Sequence, residues 1–281
     1  MQTHSPKLSP NWQPLSQINC GKINAEFAGE LALALKVADA ADSVSLAGFN
    51  SRNFSVMRKA DKSEVTEIDR ATETAITNIL RAERPEHSVY GEEHGIVGPS
   101  DAKMQWVIDP IDGTSNFVRG VPVWASLIAL VEDNVPVLGV VSAPALQMRW
   151  WAHLGGGAFY NSQPIRVSKI DTLRHASLSI TATRSWDSTG ATASLAKLQS
   201  DVSRVRGYGD FWQHMLVAQG AVDVAIDNIG LAPYDIAALV PIVQEAGGKC
   251  SDRFGLQDWR ANSLITSNNL LHDATLAYLP K

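Results

Sequence analysis

The segment WVIDPIDGTSNF, residues 106–117, constrains the fold of this chain more than any other stretch. An apolar, strand-like run leads into Asp109 and Asp112, which flank a proline that fixes φ and lacks an N–H. Gly113 then allows a close approach of the backbone. Two neighbouring carboxylates repel each other, and burying them unpaired is costly. The segment therefore predicts a turn in which a cation separates the aspartates, with a solvated Asx-type turn as the alternative.

Composition argues against two classes of partner. The 281 residues carry a formal net charge of −5 and contain no block of lysine or arginine, which argues against a nucleic-acid-binding surface. No apolar run reaches the roughly 18 residues expected of a transmembrane helix. We therefore expect neither nucleic acid nor a membrane as a partner.

The N-terminus and the cysteines indicate a cytoplasmic setting. Residues 1–24 are polar and contain prolines, without the apolar centre of a signal peptide, so we expect a loose N-terminal extension. Cys20 and Cys250 form neither a CxxC pair nor a disulfide framework. A reduced, cytoplasmic environment fits this pattern best.

Apolar periodicity predicts two helices in the first part of the chain. Residues 25–49 carry Phe27, Leu31, Leu35 and Ala38 at helical spacing. A second helix is predicted in EVTEIDRATETAITNILRAERP, residues 64–85, which ends at its proline. Its apolar stripe is expected to consist of Val65, Ile68, Ala75 and Ile79.

Short β-branched and aromatic runs follow, separated by turn residues, and they predict an antiparallel meander. The runs are QWVID, WASLIALVE, PVLGVVSAP, MRWWAHL and GGGAFYNSQPIRVS. After about residue 175, strand-like ASLSIT alternates with helical GDFWQHMLVAQGAV and YDIAALVPIVQEAGG. We expect two layered α/β lobes, an N-terminal α+β lobe over 25–170 and a C-terminal α/β lobe over 171–281.

Three further acids deserve weighing beside the aspartate pair. Glu92 lies in VYGEEHG, Asp235 opens the last predicted helix, and Asp69 follows Thr66 on the same side of the second helix. Taken singly, each has an ordinary explanation: a solvated loop acid, a helix N-cap and a surface carboxylate.

Four of these segments together resemble the inositol monophosphatase family of metal-dependent phosphatases. They are KADKSEVTEID, GEE, WVIDPIDGTSNF and PYDIAALVPIVQEAGG, in that order. The resemblance runs from about residue 25 to the C-terminus and implies an αβαβα sandwich. It also implies a homodimer, because relatives commonly form one.

The resemblance implies a set of metal ligands and catalytic groups. Its metal ligands would be Glu92, Asp109, Asp112, Asp235 and the backbone carbonyl of Ile111, with Asp69 holding a further ion through water. Glu92 and Thr114 would orient and deprotonate the attacking water, assisted by Asp69 and Thr66. The phosphate would be bound by Asp112, Gly113, Thr114 and Ser115. Lys59 would add a nearby positive charge, unless it is simply an exposed lysine.

The donor chemistry agrees with Mg²⁺ as the cofactor, at two or three ions per site. All the proposed ligands are hard oxygens, which suit Mg²⁺ and argue against Zn²⁺. None of the seven histidines shows the spacing of a metal ligand. Two metal ions about 4 Å apart would serve phosphate ester hydrolysis, one activating water and the other stabilising the leaving oxygen.

Three other segments resemble the histidinol-phosphate phosphatases of actinobacterial type. They are NFVRGVPVWASLIAL, SAPALQMRWWA and RGYGDFWQHMLVAQGAVDVAIDN. Histidinol phosphate carries an ammonium and an imidazole, so its pocket should offer acids and an aromatic wall. The acids would be Asp210, Asp227 and Asp235. Trp212, Trp124 or Tyr234 would supply the wall, although core packing is the favoured explanation of the two tryptophans. An N-cap is an equal alternative for Asp210.

The sequence therefore predicts a Mg²⁺-dependent histidinol-phosphate phosphatase whose partner is a small phosphorylated metabolite. An inositol-1-phosphate phosphatase of broad specificity is the alternative with the same mechanism. A non-catalytic, metal-binding regulatory protein on the same fold is the alternative from another class.

Overall fold

The computed structural model describes residues 27–59, 63–181 and 183–279, and for 183–185 it describes the backbone alone. The predicted extension at 1–24 and Cys20 lie outside the described residues. No helix in the described ranges is both long enough and apolar enough to span a membrane.

Both predicted N-terminal helices are present, and the second begins later than expected. Helix α1 spans Ala28–Ser51, and its predicted apolar stripe is buried. Helix α2 spans Glu67–Glu83, whereas Val65 lies in a short strand before it. Thr66 caps α2 through a capping box, because its hydroxyl accepts backbone N–H groups and Asp69 bonds back to its N–H.

The buried face of α2 is displaced from the predicted stripe by one position. The predicted Ile68, Ala75 and Ile79 are half-buried, while Ile76 and Leu80 are fully buried. The same face also buries three polar residues, Asp69, Thr72 and Glu73. Apolar periodicity misses such a face because it does not register buried polar side chains, of which Asp69 and Glu73 are buried as hydrogen-bond acceptors.

The predicted meander forms most of an eight-stranded sheet. Its strands are β3 (Ser88–Gly91), β4 (Gly95–Val97), β5 (Met104–Asp112), β6 (Ala125–Glu132), β7 (Val135–Ala143), β8 (Met148–His153), β9 (Gly157–Tyr160) and β10 (Gln163–Pro164). They lie in the order β10-β9-β8-β7-β6-β5-β3-β4, and a separate hairpin pairs β1 (Val56–Arg58) with β2 (Glu64–Thr66). All neighbours in the large sheet are antiparallel except β3 and β5, which are parallel.

Strand β5 continues through the aspartate motif, where the sequence predicted a turn. Asp109 pairs with Leu127 and Asp112 pairs with Ala125, so three steps on β5 match two steps on β6. The extra residue is a β-bulge. Side chains three apart on a regular strand point to opposite faces, and the bulge restores both aspartates to one face.

The C-terminal part forms a five-stranded mixed sheet. Its strands are β11 (Ser177–Ile180), β12 (Arg204–Arg206), β13 (Val224–Asp227), β14 (Lys249–Ser251) and β15 (Leu264–Ser267), in the order β12-β11-β13-β15-β14. Its helices are α4 (Thr183–Ser188), α5 (Thr192–Asp201), α6 (Asp210–Ala218), α7 (Pro233–Ile236), α8 (Leu239–Glu245) and α9 (His272–Leu276). A six-residue helix, α3 (Thr114–Arg119), follows β5.

The last predicted helix is divided into α7 and α8. Pro241 has no N–H to donate to the carbonyl of Ala237, so the helical hydrogen bonding is interrupted there. Asp235 lies at the third position of α7, where its carboxylate accepts the N–H of Ala232, the N-cap residue. The simple N-cap explanation for Asp235 is therefore wrong.

The elements stack in five layers, which confirms the αβαβα sandwich. Helices α1 and α2 pack on one face of the large sheet, where Trp106 and Ile128 are fully buried. Helices α6, α7 and α8 pack on its other face. The small sheet follows, and α4, α5 and α9 cover its outer side. The division into lobes at residue 170 stays a prediction, and α8 packs against β7 and β8 across it.

Candidate active site

Parallel pairing of β3 and β5 brings two predicted ligands side by side. Gly91, the last residue of β3, pairs with Ile108 of β5 in the last pair of this ladder, so Glu92 and Asp109 are the next residues along the two segments. The Glu92 N–H donates to the carbonyl of Ile108 at 3.2 Å, which fixes this junction.

Three aspartates converge beside this junction. Asp109, Asp112 and Asp235 offer carboxylate oxygens that all lie within 4.8 Å of one another. Backbone donors orient each of them: Ile111 N–H donates to Asp109 at 3.0 Å, Phe211 N–H to Asp112 at 2.7 Å and Ala232 N–H to Asp235 at 2.7 Å. The bulge supplies the first two aspartates, and α7 carries the third across from the other layer.

Asp69 and the two predicted threonines form a linked group behind the aspartates. One Asp69 oxygen accepts the N–H and the hydroxyl of Thr66, at 2.8 and 2.5 Å. The other lies 3.1 Å from the Thr114 hydroxyl, which is also 2.9 Å from the Ile111 carbonyl. The four residues thus fix the Thr114 hydroxyl at the start of α3.

Lys59 is paired with two acids of the candidate site and is not an isolated surface lysine. Its ammonium lies 2.7 Å from Glu92 Oε1 and 2.5 Å from Glu93 Oε1. Burial works to lower the pKa of Lys59, but the hydrogen bonds to the two glutamates outweigh it and raise the pKa. The lysine therefore partly neutralises the acidic end of β3.

Burial and mutual repulsion raise the pKa values of the carboxyl groups. Burial is the largest cause throughout, and it raises the pKa of Glu92 to about 7 and that of Asp235 to about 6. The pKa values of Asp109 and Asp112 lie well above their usual range, because neighbouring carboxylates add to the burial. For Asp69, burial raises the pKa against the hydrogen bonds from Thr66 and Thr114. A bound cation would offset the repulsion among the ionised carboxylates, so such a cluster favours cation binding.

The three converging aspartates fit a hard divalent cation. They present oxygen donors from two layers at spacings that a single ion can bridge, and neither histidine nor cysteine is among them. Oxygen-only sites suit Mg²⁺ or Ca²⁺ better than Zn²⁺.

Gly113 and Ser115 line a pocket next to the aspartates, the Gly113 pocket. This pocket measures about 440 Å³ and also contains Glu92, Thr114 and Asp210. Gly113 has φ 85°, and a Cβ there would lie 2.9 Å from the carbonyl oxygen of Val123, so glycine is required.

Asp210 joins the two parts of the site. It lines both the Gly113 pocket and a cavity of about 180 Å³ that contains Asp112, Asp227 and Asp235. It is the first residue of α6, after the N-cap Gly209, and its φ of 47° is unusual for a residue other than glycine. The Asn116 amide donates to its carboxylate at 2.9 Å. Burial, followed by the charges of Asp227 and Asp235, raises the pKa of Asp210 to about 6.

Asp227 lies deeper, and donors of the chain occupy both of its oxygens. Oδ2 lies 2.6 Å from the Gln213 amide and 2.9 Å from His214 Nε2, while Oδ1 accepts the Thr181 hydroxyl. The other His214 nitrogen, Nδ1, lies 2.8 Å from the Thr266 hydroxyl. Asp227 therefore adds charge to the cavity from a saturated position.

The three aromatic candidates differ in how deeply they are buried. Trp124 is fully buried beside Ile111 and Phe117, so core packing explains it. Tyr234 is half-buried with its ring edge-on to Tyr90, and Trp212 is half-buried with its ring edge-on to Tyr208.

Sequence reasoning did not single out the residues that support the predicted ligands. Asn116 holds Asp210, Ser126 donates to the carbonyl of Pro110 at 2.7 Å, and Glu73 binds the turn that carries Glu92. The spacing of Glu73, one helical turn after Asp69, was the one available signal for it.

Comparisons with known proteins match nearly the whole chain. The sequence model of the inositol monophosphatase family matches residues 29–281. The histidinol-phosphatase of Mycobacterium tuberculosis is 45% identical over 255 residues, covering 89% of this chain and 97% of the relative. The histidinol-phosphatase of Streptomyces coelicolor is 41% identical over 263 residues, covering 90% of this chain and 98% of the relative.

A solved structure shows the same architecture. The extragenic suppressor protein suhB from Bartonella henselae superposes on this chain with a TM-score of 0.84 at 28% sequence identity. The match covers 90% of this chain and 99% of that protein.

Proposed function

The chain belongs to the inositol monophosphatase family, and from this premise we propose that it hydrolyses histidinol phosphate to histidinol and phosphate, with Mg²⁺ as cofactor. The observation that carries the choice of substrate is the similarity to two histidinol-phosphatases over 97% and 98% of their lengths. The enzyme is a phosphoric monoester hydrolase, and its place would be in histidine biosynthesis.

Two of the ions would be held by five ligands: Glu92, Asp109, Asp112, Asp235 and the Ile111 carbonyl. Asp69 would hold a third ion through water. Their convergence supports this set, although the Ile111 carbonyl now accepts the Thr114 hydroxyl. Bound there, Mg²⁺ would make water more acidic and offset the negative charge that develops on the leaving oxygen.

The residues of the chain would position and deprotonate the attacking water. The Thr114 hydroxyl and the Glu92 carboxylate line one pocket, so water between them could donate a proton to Glu92. Asp69 and Thr66 would hold the Thr114 hydroxyl in place. The water oxygen would join phosphorus as the ester P–O bond breaks. The leaving alkoxide would take a proton from a water molecule, and Glu92 would release its proton to solvent. No covalent enzyme intermediate is required.

The phosphate would rest on the backbone N–H groups of Gly113, Thr114 and Ser115, with Asp112 at the side of the leaving group. Backbone N–H groups at a helix start commonly receive phosphate. The pocket lined by Gly113, Thr114 and Ser115 supports the assignment of these three residues.

The organic part of the substrate would meet Asp210, with Asp235 and Asp227 adding negative charge. Histidinol carries an ammonium group, and an ionised carboxylate binds it by charge-assisted hydrogen bonds. Asp210 lines both pockets, which supports its role as the direct contact. We propose in addition a cytoplasmic homodimer.

Steady-state kinetics of phosphate release tests the substrate. With Mg²⁺ present, we expect kcat/KM for histidinol phosphate to exceed that for inositol 1-phosphate by about tenfold or more. Asp210→Asn should lower the value for histidinol phosphate by about 10–100-fold, the loss expected for a hydrogen bond to a charged group. For inositol 1-phosphate, which has no ammonium, it should change little.

Three results would contradict the proposal or part of it. A preference for inositol 1-phosphate would favour the broad-specificity alternative. Unchanged Mg²⁺-dependent activity in Glu92→Gln would remove Glu92 from the mechanism, and no turnover of either substrate would favour the regulatory alternative.

A further inference from the structure

A buried carboxylate outside the proposed ligand set grips the turn that carries Glu92. Glu73 lies on α2 and is 1% exposed. Its Oε2 accepts the Glu93 N–H at 2.8 Å, and its Oε1 accepts the His94 N–H at 2.9 Å. His94 Nδ1 also lies 2.9 Å from Oε1.

The turn is built around this carboxylate. Residues 92–94 connect β3 to β4, and Gly91 at the end of β3 packs directly on Glu73. A Cβ on Gly91 would lie 2.0 Å from Glu73 Oε1, so any side chain there would expel the carboxylate. The absence of a side chain at position 91 is therefore matched to the glutamate on the helix.

We propose that Glu73 is a positioning residue that clamps the 92–94 turn and so sets the place of the Glu92 carboxylate. The inference rests on the proposed function, which makes Glu92 a metal ligand. Two backbone bonds to one carboxylate fix both the position and the orientation of the turn, because charge-assisted bonds are short and directional. Glu92 precedes these two bonded residues directly.

The clamp explains why α2 buries polar groups. Asp69 and Glu73 lie one helical turn apart on the same face. Asp69 holds Thr66 and Thr114, while Glu73 holds the turn beside Glu92. One helix thus holds both sides of the proposed water site, Thr114 on one side and the turn beside Glu92 on the other.

Glu73→Gln tests the clamp, because glutamine keeps the shape but turns one acceptor into an NH₂ group. Titration calorimetry without substrate should show a Mg²⁺ dissociation constant about tenfold higher, which corresponds to about 1.4 kcal/mol. The Mg²⁺ concentration for half-maximal activity should rise by a similar factor, while KM for the substrate at saturating Mg²⁺ should stay within about twofold.

Glu83→Gln is the matched control, because Glu83 lies on the same helix in an exposed ion pair with Lys36. Its Mg²⁺ affinity should equal that of the unaltered protein. A merely structural role for Glu73 would reduce the folded fraction and leave the Mg²⁺ affinity of the folded enzyme unchanged, and that result would overturn the proposal.

Hydrogen exchange separates failure of the clamp from failure of the proposed function. In Glu73→Gln the amides of residues 92–94 should exchange faster, with or without metal. Unchanged exchange would overturn the clamp. Faster exchange in a protein that binds no Mg²⁺ even when unaltered would leave the clamp standing and contradict the proposed function. If Glu73→Gln does not fold, His94→Ala should raise the Mg²⁺ dissociation constant in the same direction, and no rise would overturn the proposal.

Discussion

Asp109 occupies a buried position in which an ionised carboxylate is unfavourable to the metal-free protein and would be suited to binding a cation. It is 2% exposed, and burial together with Glu92, Asp112 and Asp235 keeps its pKa well above the usual range. Its carboxylate accepts the backbone N–H of Ile111. Residues of this kind are retained for function at a cost in stability.

Asp109→Asn should lose Mg²⁺ affinity without losing the fold. Even supporting residues of metal sites are worth about 10–100-fold in affinity, so we expect a loss of at least about 100-fold. The asparagine oxygen can still accept the Ile111 N–H, and one repulsive charge disappears. The melting temperature without Mg²⁺ should therefore be equal or higher, as measured by calorimetry. Normal Mg²⁺ binding, or a protein that unfolds, would contradict this expectation.

At the scale of elements, buried polar side chains join strands to helices at points that apolar packing leaves open. His272 at the start of α9 is an example outside the site. Its Nδ1 lies 2.9 Å from the Ser267 hydroxyl on β15, and its Nε2 lies 2.9 Å from the Ser251 hydroxyl on β14. Burial, followed by the charge of Lys249, lowers the pKa of His272 to about 4.

This histidine should make stability depend on pH. Its pKa is lower in the folded protein than the roughly 6.5 of an unfolded chain, so its contribution is complete above pH 6.5 and falls as the pH drops towards 4. The loss is on the order of 3 kcal/mol. In urea unfolding, His272→Gln should be less stable than the unaltered protein at pH 7, and the difference should shrink by pH 4.5. A difference that is constant with pH would exclude this titration.

The sequence was sufficient for elements whose pattern is local. Helix α1 follows its apolar spacing, and the meander from β5 to β10 follows its alternating runs and turn residues. It was insufficient where long-range pairing decides the geometry. The parallel pairing of β3 with β5 places Glu92 beside Asp109, and no local pattern specifies such a pairing.

The candidate site was likewise predictable where its residues lie in local motifs and not where contacts join distant parts of the chain. The motif identified the three aspartates that converge, because each lies in a short, distinctive segment. The supporting contacts elsewhere in the site join distant parts of the chain. Asn116 bonds to Asp210 across 94 positions, and Glu73 bonds to Glu93 across 20. The ligand and catalytic roles of the predicted residues stay predictions that the experiments above test.

At the scale of the whole molecule, the acidic cluster joins layers that are far apart in sequence. The large sheet and α2 supply Asp109, Asp112, Glu92 and Asp69, while α7 in the middle layer supplies Asp235. Repulsion among these groups acts between layers, so a bound cation should stabilise the assembly of the sandwich as well as the site.

The stabilisation by Mg²⁺ should increase with pH. The folded-state pKa values of about 7 for Glu92 and about 6 for Asp235 exceed the unfolded values near 4, so metal-free stability falls as the pH rises from about 4 through 7. Mg²⁺ requires the ionised groups and competes with protons for them. The rise in melting temperature on adding Mg²⁺ should be small at pH 5 and large at pH 8. The titration of His272 affects stability equally with and without Mg²⁺, so its effect cancels in this shift of the melting temperature. A shift that is equal at both pH values would contradict the linkage.

The extra residue between Asp109 and Asp112 has a consequence for how such a chain can diverge. Side chains around it can be exchanged one at a time, but the number of residues cannot change. Deleting one residue would reverse the direction of the side chains in the part of β5 beyond the deletion. One of the two aspartates would then point into the apolar layer on the opposite face of the sheet. Substitutions in this segment are therefore tolerated more readily than insertions or deletions. Gaps in an alignment of descendants should avoid it.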